Sequence, residues 1–188
     1  MQTATAAAHP NLAFAKYYRV RRDDLNIPEN GSISVNLSGA MTTTTVTFDE
    51  AFGQDGFTLN DAGVNPATLG RVIAHLDRVR ALAGMTTRAR VVSQNDFLAD
   101  AGLASSASAF AALSLAATRA AGLDLDRHDL SVLARKGSGS ACRSIPDGFV
   151  EWLPGWDDAS SYARSLAPCD HWDLRVVTVV QRGRPKLT

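Results

Sequence analysis

Apolar positions follow two periods along this chain, and the switches between them outline its elements. Residues 4–18 read as extended, interrupted at His9-Pro10. Ile33, Val35 and Leu37 alternate with polar neighbours, the spacing of a half-buried strand. The β-branched run 42–48 predicts another strand, and Gly39 between the two predicts a hairpin. Residues 49–55 read as a loop and 56–59 as a short strand. At Asn65 the period becomes helical: Leu69, Val72, Ile73, Leu76, Val79 and Leu82 form one apolar face. Asn65 is placed to cap this helix, Pro66 to open it and Gly84 to end it. His75 on this helix reads as a polar-face or hydrogen-bonded histidine rather than a metal ligand. Residues 88–94 predict a strand. Residues 108–121 predict an alanine-rich helix whose Phe110, Leu113 and Leu115 imply close packing, closed by Gly122. Asp126 is placed to cap the next helix, with Leu130 and Leu133 toward the core. Beyond it, 148–152 reads as a strand, 156–167 as a short amphipathic segment and 174–180 as a strand. Residues 182–188 form a basic, polar tail without helix or strand signal.

Composition narrows the function classes. The 188 residues, 45% of them hydrophobic, suit one folded domain over residues 1–188. Nineteen basic and nineteen acidic side chains give zero formal net charge, so nothing pulls the chain toward nucleic acid or a membrane surface. The start is too short and uncharged for a signal peptide, and no apolar run approaches a membrane span. A soluble cytoplasmic protein is expected. Cys142 and Cys169 have neither disulfide-framework density nor metal-ligand spacing, and Cys142 reads as a packing residue.

Three stretches carry chemistry. Ala101-Gly102-Leu103-Ala104-Ser105-Ser106-Ala107 runs into the alanine-rich helix, where unpaired backbone N–H groups and the positive end of the helix dipole suit a phosphate. A small-residue loop entering a packed helix is the plainer alternative. Lys16, Tyr17, Tyr18, Arg19, Arg21 and Arg22 form a basic run with hydrogen-bonding phenols, followed at once by Asp23 and Asp24. It reads as a solvated loop or as an anion-binding one. Gly137-Ser138-Gly139-Ser140-Ala141-Cys142-Arg143-Ser144 offers two glycines for close backbone approach, three hydroxyls and a planar guanidinium suited to carboxylate or phosphate. A flexible linker is the competing reading.

Four blocks together resemble the mevalonate diphosphate decarboxylase family of the GHMP kinase superfamily. They are Asn11-Leu12-Ala13-Phe14-Ala15-Lys16-Tyr17-Tyr18, the stretch from Leu25 to Thr45, the segment Ala101 to Ala107, and Gly137 to Ser144. The resemblance implies an α+β fold, the GHMP N-terminal domain akin to ribosomal protein S5 domain 2. It also implies ATP and Mg²⁺ as cofactors and a small-molecule substrate, mevalonate 5-phosphate or 5-diphosphate. Gly102, Leu103, Ala104, Ser105 and Ser106 would cradle the ATP phosphates. Tyr17, Ser138, Ser140 and Arg143 would hold the substrate's carboxylate and phosphate end, with Asn11 and Lys16 supporting that wall. The expected catalytic aspartate belongs to the family's C-terminal half, which this sequence lacks. An N-terminal domain inactive by itself is therefore expected, and the family's habit makes a homodimer possible.

Two departures bear on substrate. Val20 stands where the family carries a phosphate-binding lysine, so Arg19 or Arg21 is the expected replacement. Leu98-Ala99-Asp100 stands where the family has P-T-A. A phosphomevalonate decarboxylase or mevalonate 3-kinase relative is thus an alternative, and a non-catalytic binding domain is another.

Overall fold

The structure, a computed structural model, describes residues 1–97 and 105–177. Threonine- and alanine-rich β1 (Gln2–Ala8) pairs antiparallel with β6 (Thr42–Phe48), and β6 pairs antiparallel with β9 (Ala89–Asn95). β7 (Gly56–Leu59) runs parallel to β9 and is followed by the two-residue β8 (Ala62–Gly63), giving a five-stranded sheet in the order β1-β6-β9-β7-β8. A second, antiparallel sheet has the order β11-β10-β5-β2. It is built from β2 (Asn11–Ala15), β5 (Ser32–Asn36), β10 (Phe149–Trp152) and β11 (Ala163–Ala167). Two short strands, β3 (Val20–Arg22) and β4 (Ile27–Pro28), form a ribbon of their own.

Helices α1 (Pro66–Ala83), α2 (Ser105–Ala120) and α3 (Arg127–Gly137) complete the fold, and α2 lies across β1 and β6. The core between the five-stranded sheet and the helices contains Val46, Phe48, Val91, Leu76, Val79, Phe110, Leu113 and Leu133. The local signals act as expected. Asn65 Oδ1 accepts from the Thr68 amide at 2.8 Å, Asp126 Oδ1 accepts from the Asp129 amide at 2.9 Å, and Gly84 ends α1 at φ 63°. Beneath α1, buried Asp55 accepts from both ends of the Arg80 guanidinium at 3.0 Å and from the Ala89 amide at 2.8 Å.

Four expectations are corrected. β5 and β6 are not a hairpin: they belong to different sheets, because β6 buries one face under α2 while β5 is sequestered between β2 and β10. In β5 the polar Ser32 and Ser34 are buried as well as Val35, since a further turn of chain covers that face. The segment 156–167 is a turn held by Ser160 and Asp157 followed by β11, not an amphipathic unit. Residues 174–177 are not a strand; 178–188 lie outside the described residues.

Candidate functional site

The glycine-serine stretch after α3 is ordered structure rather than a linker. Asn26, in left-handed backbone at φ 52°, donates its side-chain amide to Arg135 O at 2.9 Å and so covers the free carbonyls at the end of α3. Ser138 then leaves the helix in extended conformation, and residues Gly139–Ser144 form a 3₁₀ turn. Gly139 is required there: a Cβ would stand 2.9 Å from Tyr17 Oη and 3.2 Å from Trp152 Cη2. The missing side chain lets the phenol and the indole close on the backbone. The two rings meet edge to face with centroids 4.7 Å apart.

Arg143 is the electrostatic centre of this turn. It is 4% exposed. Nη1 donates to Ser32 Oγ at 2.5 Å, while Nε and Nη2 donate to Asn11 Oδ1 at 3.3 and 3.1 Å. Asn11 is fixed in turn, its Nδ2 donating to Ser140 O at 3.1 Å and to Ser144 Oγ at 2.8 Å. Among the described residues no carboxylate pairs with Arg143. Burial lowers its pKa, yet a guanidinium keeps its proton. A buried cation held by neutral oxygens alone leaves local positive potential unbalanced. Its guanidinium carbon lies 5.9 Å from the Tyr17 ring centroid and 5.8 Å from that of Trp152. Burial raises the Tyr17 pKa, the nearby Arg143 charge opposing it, so the phenol stays a neutral hydrogen-bond donor.

The two small-residue stretches meet in space. Ser138 Oγ donates to Ser106 Oγ at 3.3 Å, which brings the end of α3 to the start of α2. On the α2 side a cavity of about 320 Å³ opens, with an apolar wall from Phe57, Leu59 and Val72 and polar groups from Arg71, Ser105 and Ser106. No carboxylate lines it among the described residues, so a divalent cation there would rest on serine hydroxyls and on its ligand's own oxygens. Gly102, Leu103 and Ala104 lie outside the described residues.

The basic run divides. Arg21 donates to Gly155 O and lies over the Trp156 ring at 5.0 Å; Arg22 pairs with Asp24. Arg21 is therefore engaged. Lys16 and Arg19 are exposed, and neither side chain bonds to a described residue. Ser140 contributes its backbone carbonyl to Asn11. Cys142 is fully buried, and burial pushes its thiol up to about 12, in keeping with a packing role.

Sequence reading missed Ser32, Trp152 and the support behind Gly137. Ser32 had a signal in the alternation of β5, which puts serines on the face opposite Ile33. Behind Gly137, Arg71 donates to its carbonyl at 3.1 Å and lies over the Phe110 ring, which meets His75 edge to face. Ser114 Oγ donates to Phe110 O at 2.6 Å, so it accepts from His75 Nε2 at 2.9 Å, and Nδ1 is left without a partner. Burial holds His75 neutral, with a pKa lowered to about 3. It is thus a hydrogen-bonded core histidine, not one on a polar face.

The sequence model of the diphosphomevalonate decarboxylase-like N-terminal domain matches residues 8–163. The chain is 40% identical over 195 residues to diphosphomevalonate decarboxylase of Candida albicans, covering 96% of this chain and 54% of that protein. It is 37% identical over 174 residues to phosphomevalonate decarboxylase of Haloferax volcanii, covering 93% and 54%. A solved structure concerned with mevalonate diphosphate mediated ATP binding, that of mevalonate diphosphate decarboxylase from Enterococcus faecalis, superposes with a TM-score of 0.86 at 44% identity. It covers 91% of this chain and 53% of the other. The chain spans about half the length of the curated relatives it matches. Since the family's sequence model matches residues 8–163 and the relatives align over nearly all of the chain, the chain belongs to the diphosphomevalonate decarboxylase-like family, matching its N-terminal domain.

Proposed function

We propose that this chain is the nucleotide- and substrate-binding domain of an ATP-dependent decarboxylase that converts mevalonate 5-diphosphate to isopentenyl diphosphate. The observation that carries the reading is Arg143, a buried cation with no described carboxylate partner, held by Asn11 and Ser32 beside Tyr17. Such a group demands an anion, and the substrate's carboxylate and phosphates are anions. In this reading Arg143 and Tyr17 orient the carboxylate end, with Ser138 and Ser140 supplying hydroxyls alongside. Asn11 holds the guanidinium in place, and Lys16 adds charge at the rim. Ser105 and Ser106 at the head of α2, with Gly102 to Ala104 before them, receive the ATP phosphates, and the 320 Å³ cavity receives the base. Mg²⁺ accompanies the phosphates. ATP supplies the phosphoryl group that turns a tertiary hydroxyl into a good leaving group. The chain's own contribution is to hold the anions still and keep water away. The general base is supplied from outside this chain, so the chain binds ligands without turnover.

Arg21 bears on a second reading. Val20 replaces the usual lysine, and Arg21 is tied to Gly155 and Trp156, so Arg19 is the remaining candidate for a second phosphate. If Arg19 does not serve, the substrate is mevalonate 5-phosphate, as the name of the Haloferax relative would suggest. Calorimetric titration with mevalonate 5-diphosphate and 5-phosphate, each with and without Mg-ATP, decides between them. Tighter binding of the diphosphate, lost at least tenfold in Arg143→Gln and reduced in Arg19→Gln, is the expected result. Preference for the monophosphate supports the second reading. Unchanged binding in a folded Arg143→Gln variant removes the basis for both. Steady ATP-dependent CO₂ release by the 188-residue chain would refute the claim that it lacks turnover.

A further inference from the structure

Trp152, on β10, is the largest fully buried side chain among the described residues, and its indole stands behind Tyr17 and Arg143. One edge of the ring bounds what lies in front of it. Cη2 and Cζ3 lie 3.2 and 3.7 Å from the Cβ position of Gly139, and Tyr17 Oη lies 2.9 Å from the same point. Phenol, indole and glycine backbone therefore meet with no room between them. The Arg143 guanidinium carbon lies 5.8 Å from the indole centroid, within cation–π range. The ring is rigid, so a tilt at its pyrrole end is carried to the edge that bounds Tyr17 and Gly139.

Ser161 holds the pyrrole end. Trp152 Nε1 donates to Ser161 Oγ at 3.1 Å, and that hydroxyl donates in turn to Leu153 O at 3.3 Å. Ser161 is itself fully buried, and Arg135 donates to its carbonyl. Arg135, also fully buried, pairs with Asp158 three residues earlier, and Lys136 pairs with Asp158 as well. Two residues past Ser161 the Ala163 amide donates to Ser131 Oγ at 2.8 Å, and Ser131 Oγ donates to Cys142 O at 3.3 Å. Helix α3 thus grips the segment 158–163 on one side and the turn bearing Arg143 on the other. Filling space behind Tyr17 needs only the bulk of a ring. An indole N–H paired to a hydroxyl that a charged pair holds in place fixes the ring's direction as well.

On the reading that Arg143 and Tyr17 receive the substrate's anionic end, we propose that Ser161 is a positioning residue for that site. Its hydroxyl, set by the Arg135–Asp158 pair, fixes the tilt of Trp152 and so the places of the Tyr17 phenol and the Arg143 guanidinium. Ser161 acts through the indole and touches no ligand. Without the hydroxyl, the indole N–H is unpaired in the interior, and the ring gains by tilting toward another acceptor. That tilt displaces the edge packed against Tyr17.

The test isolates the indole. The chain has three tryptophans, and Trp156 and Trp172 are exposed, so a parent carrying Trp156→Phe and Trp172→Phe reports Trp152 by itself. Ser161→Ala is made in this parent, with Asp158→Asn at the half-exposed end of the same chain of contacts. Far-ultraviolet circular dichroism checks folding, and Asp55→Ala, destabilising beneath α1, controls for lost stability. Each protein is titrated calorimetrically with mevalonate 5-diphosphate and 5-phosphate, and its near-ultraviolet circular dichroism is recorded. Ser161→Ala is expected to weaken binding about fivefold, the worth of one net hydrogen bond, and to change the Trp152 band. Asp158→Asn should do both to a smaller extent, and Asp55→Ala neither. The proposal is overturned if Ser161→Ala binds as the parent does, or if Asp55→Ala loses as much affinity. Should Ser161→Ala not fold, unchanged affinity in Asp158→Asn overturns it. A parent that binds neither ligand overturns the reading of Arg143 and this proposal together, whereas equal binding by parent and Ser161→Ala overturns this proposal alone.

Discussion

Gly137→Ala sets two known effects against each other. In a helix, glycine to alanine ordinarily stabilises by about 0.8–1 kcal/mol, less at a last turn. Gly137 is the last residue of α3 and its φ is not in the left-handed region, so backbone strain does not enter. Space does. The added methyl would stand 2.2 Å from Phe110 Cδ1 and 2.8 Å from His75 Nδ1, well inside the 3.5–4.0 Å of good carbon contacts. Phe110 cannot step aside: its ring is 6% exposed, with the Arg71 guanidinium over its face and His75 at its edge. Overpacking of this kind costs about 1–3 kcal/mol, so the clash outweighs the propensity gain. A net loss of about 1–2 kcal/mol corresponds to roughly 2–8 °C in Tm for a domain of this size. Urea and thermal denaturation measure it. A double-mutant cycle with Phe110→Leu assigns the cause, because removing the ring relieves the contact and the penalty should shrink by about 1 kcal/mol. A rise in Tm for Gly137→Ala would refute the packing argument. An equal penalty in both backgrounds would move the cause away from Phe110. Because Ser138 follows directly, the same substitution should weaken anion binding more than a surface change of equal stability cost.

His75 predicts acid sensitivity. Its folded pKa is depressed to about 3, so its contribution is complete above the unfolded value near 6.5 and is lost as pH falls from there toward 3. At pH 4.5 the loss is roughly 2–3 kcal/mol, and urea midpoints for the parent and for His75→Phe should diverge less at low pH than at pH 7. Parallel pH profiles would contradict it. The cysteines should differ sharply. Exposed Cys169 reacts with a thiol reagent in the native protein, whereas Cys142 reacts only after denaturation, so native labelling of both would be the contrary result. Asp55→Ala leaves the Arg80 guanidinium, 5% exposed, to Asp77 alone among described carboxylates and removes the acceptor of the buried Ala89 amide, and is expected to cost about 1–3 kcal/mol; an unchanged urea midpoint would refute it.

What the sequence by itself determined is local. The α1 face that buries Val72, Leu76 and Val79, the Asn65 and Asp126 caps and the Gly84 stop depend on neighbours a few residues away, and the described helices appear near their expected bounds; Leu82, expected on the same face, is 56% exposed. The glycine-serine motifs and Arg143 were legible for the same reason, since residue type at fixed spacing states which chemistry is available. Tertiary structure decided what that chemistry faces. Asn11 and Ser32 stand more than a hundred residues before Arg143, and only the turn of chain after α3 brings them to its guanidinium. The pairing of strands was decided at the same level. Alternation marks β5 and β6 as strands but cannot choose their neighbours, because sheet partners are selected by which faces can be buried together. Residues 174–177 show the limit from the other side: β-branched propensity yields a strand only where an edge receives it, and among the described residues none does. Arg19 and Arg21 were equivalent in sequence, and a carbonyl and an indole in the distant turn at Gly155 and Trp156 separated them.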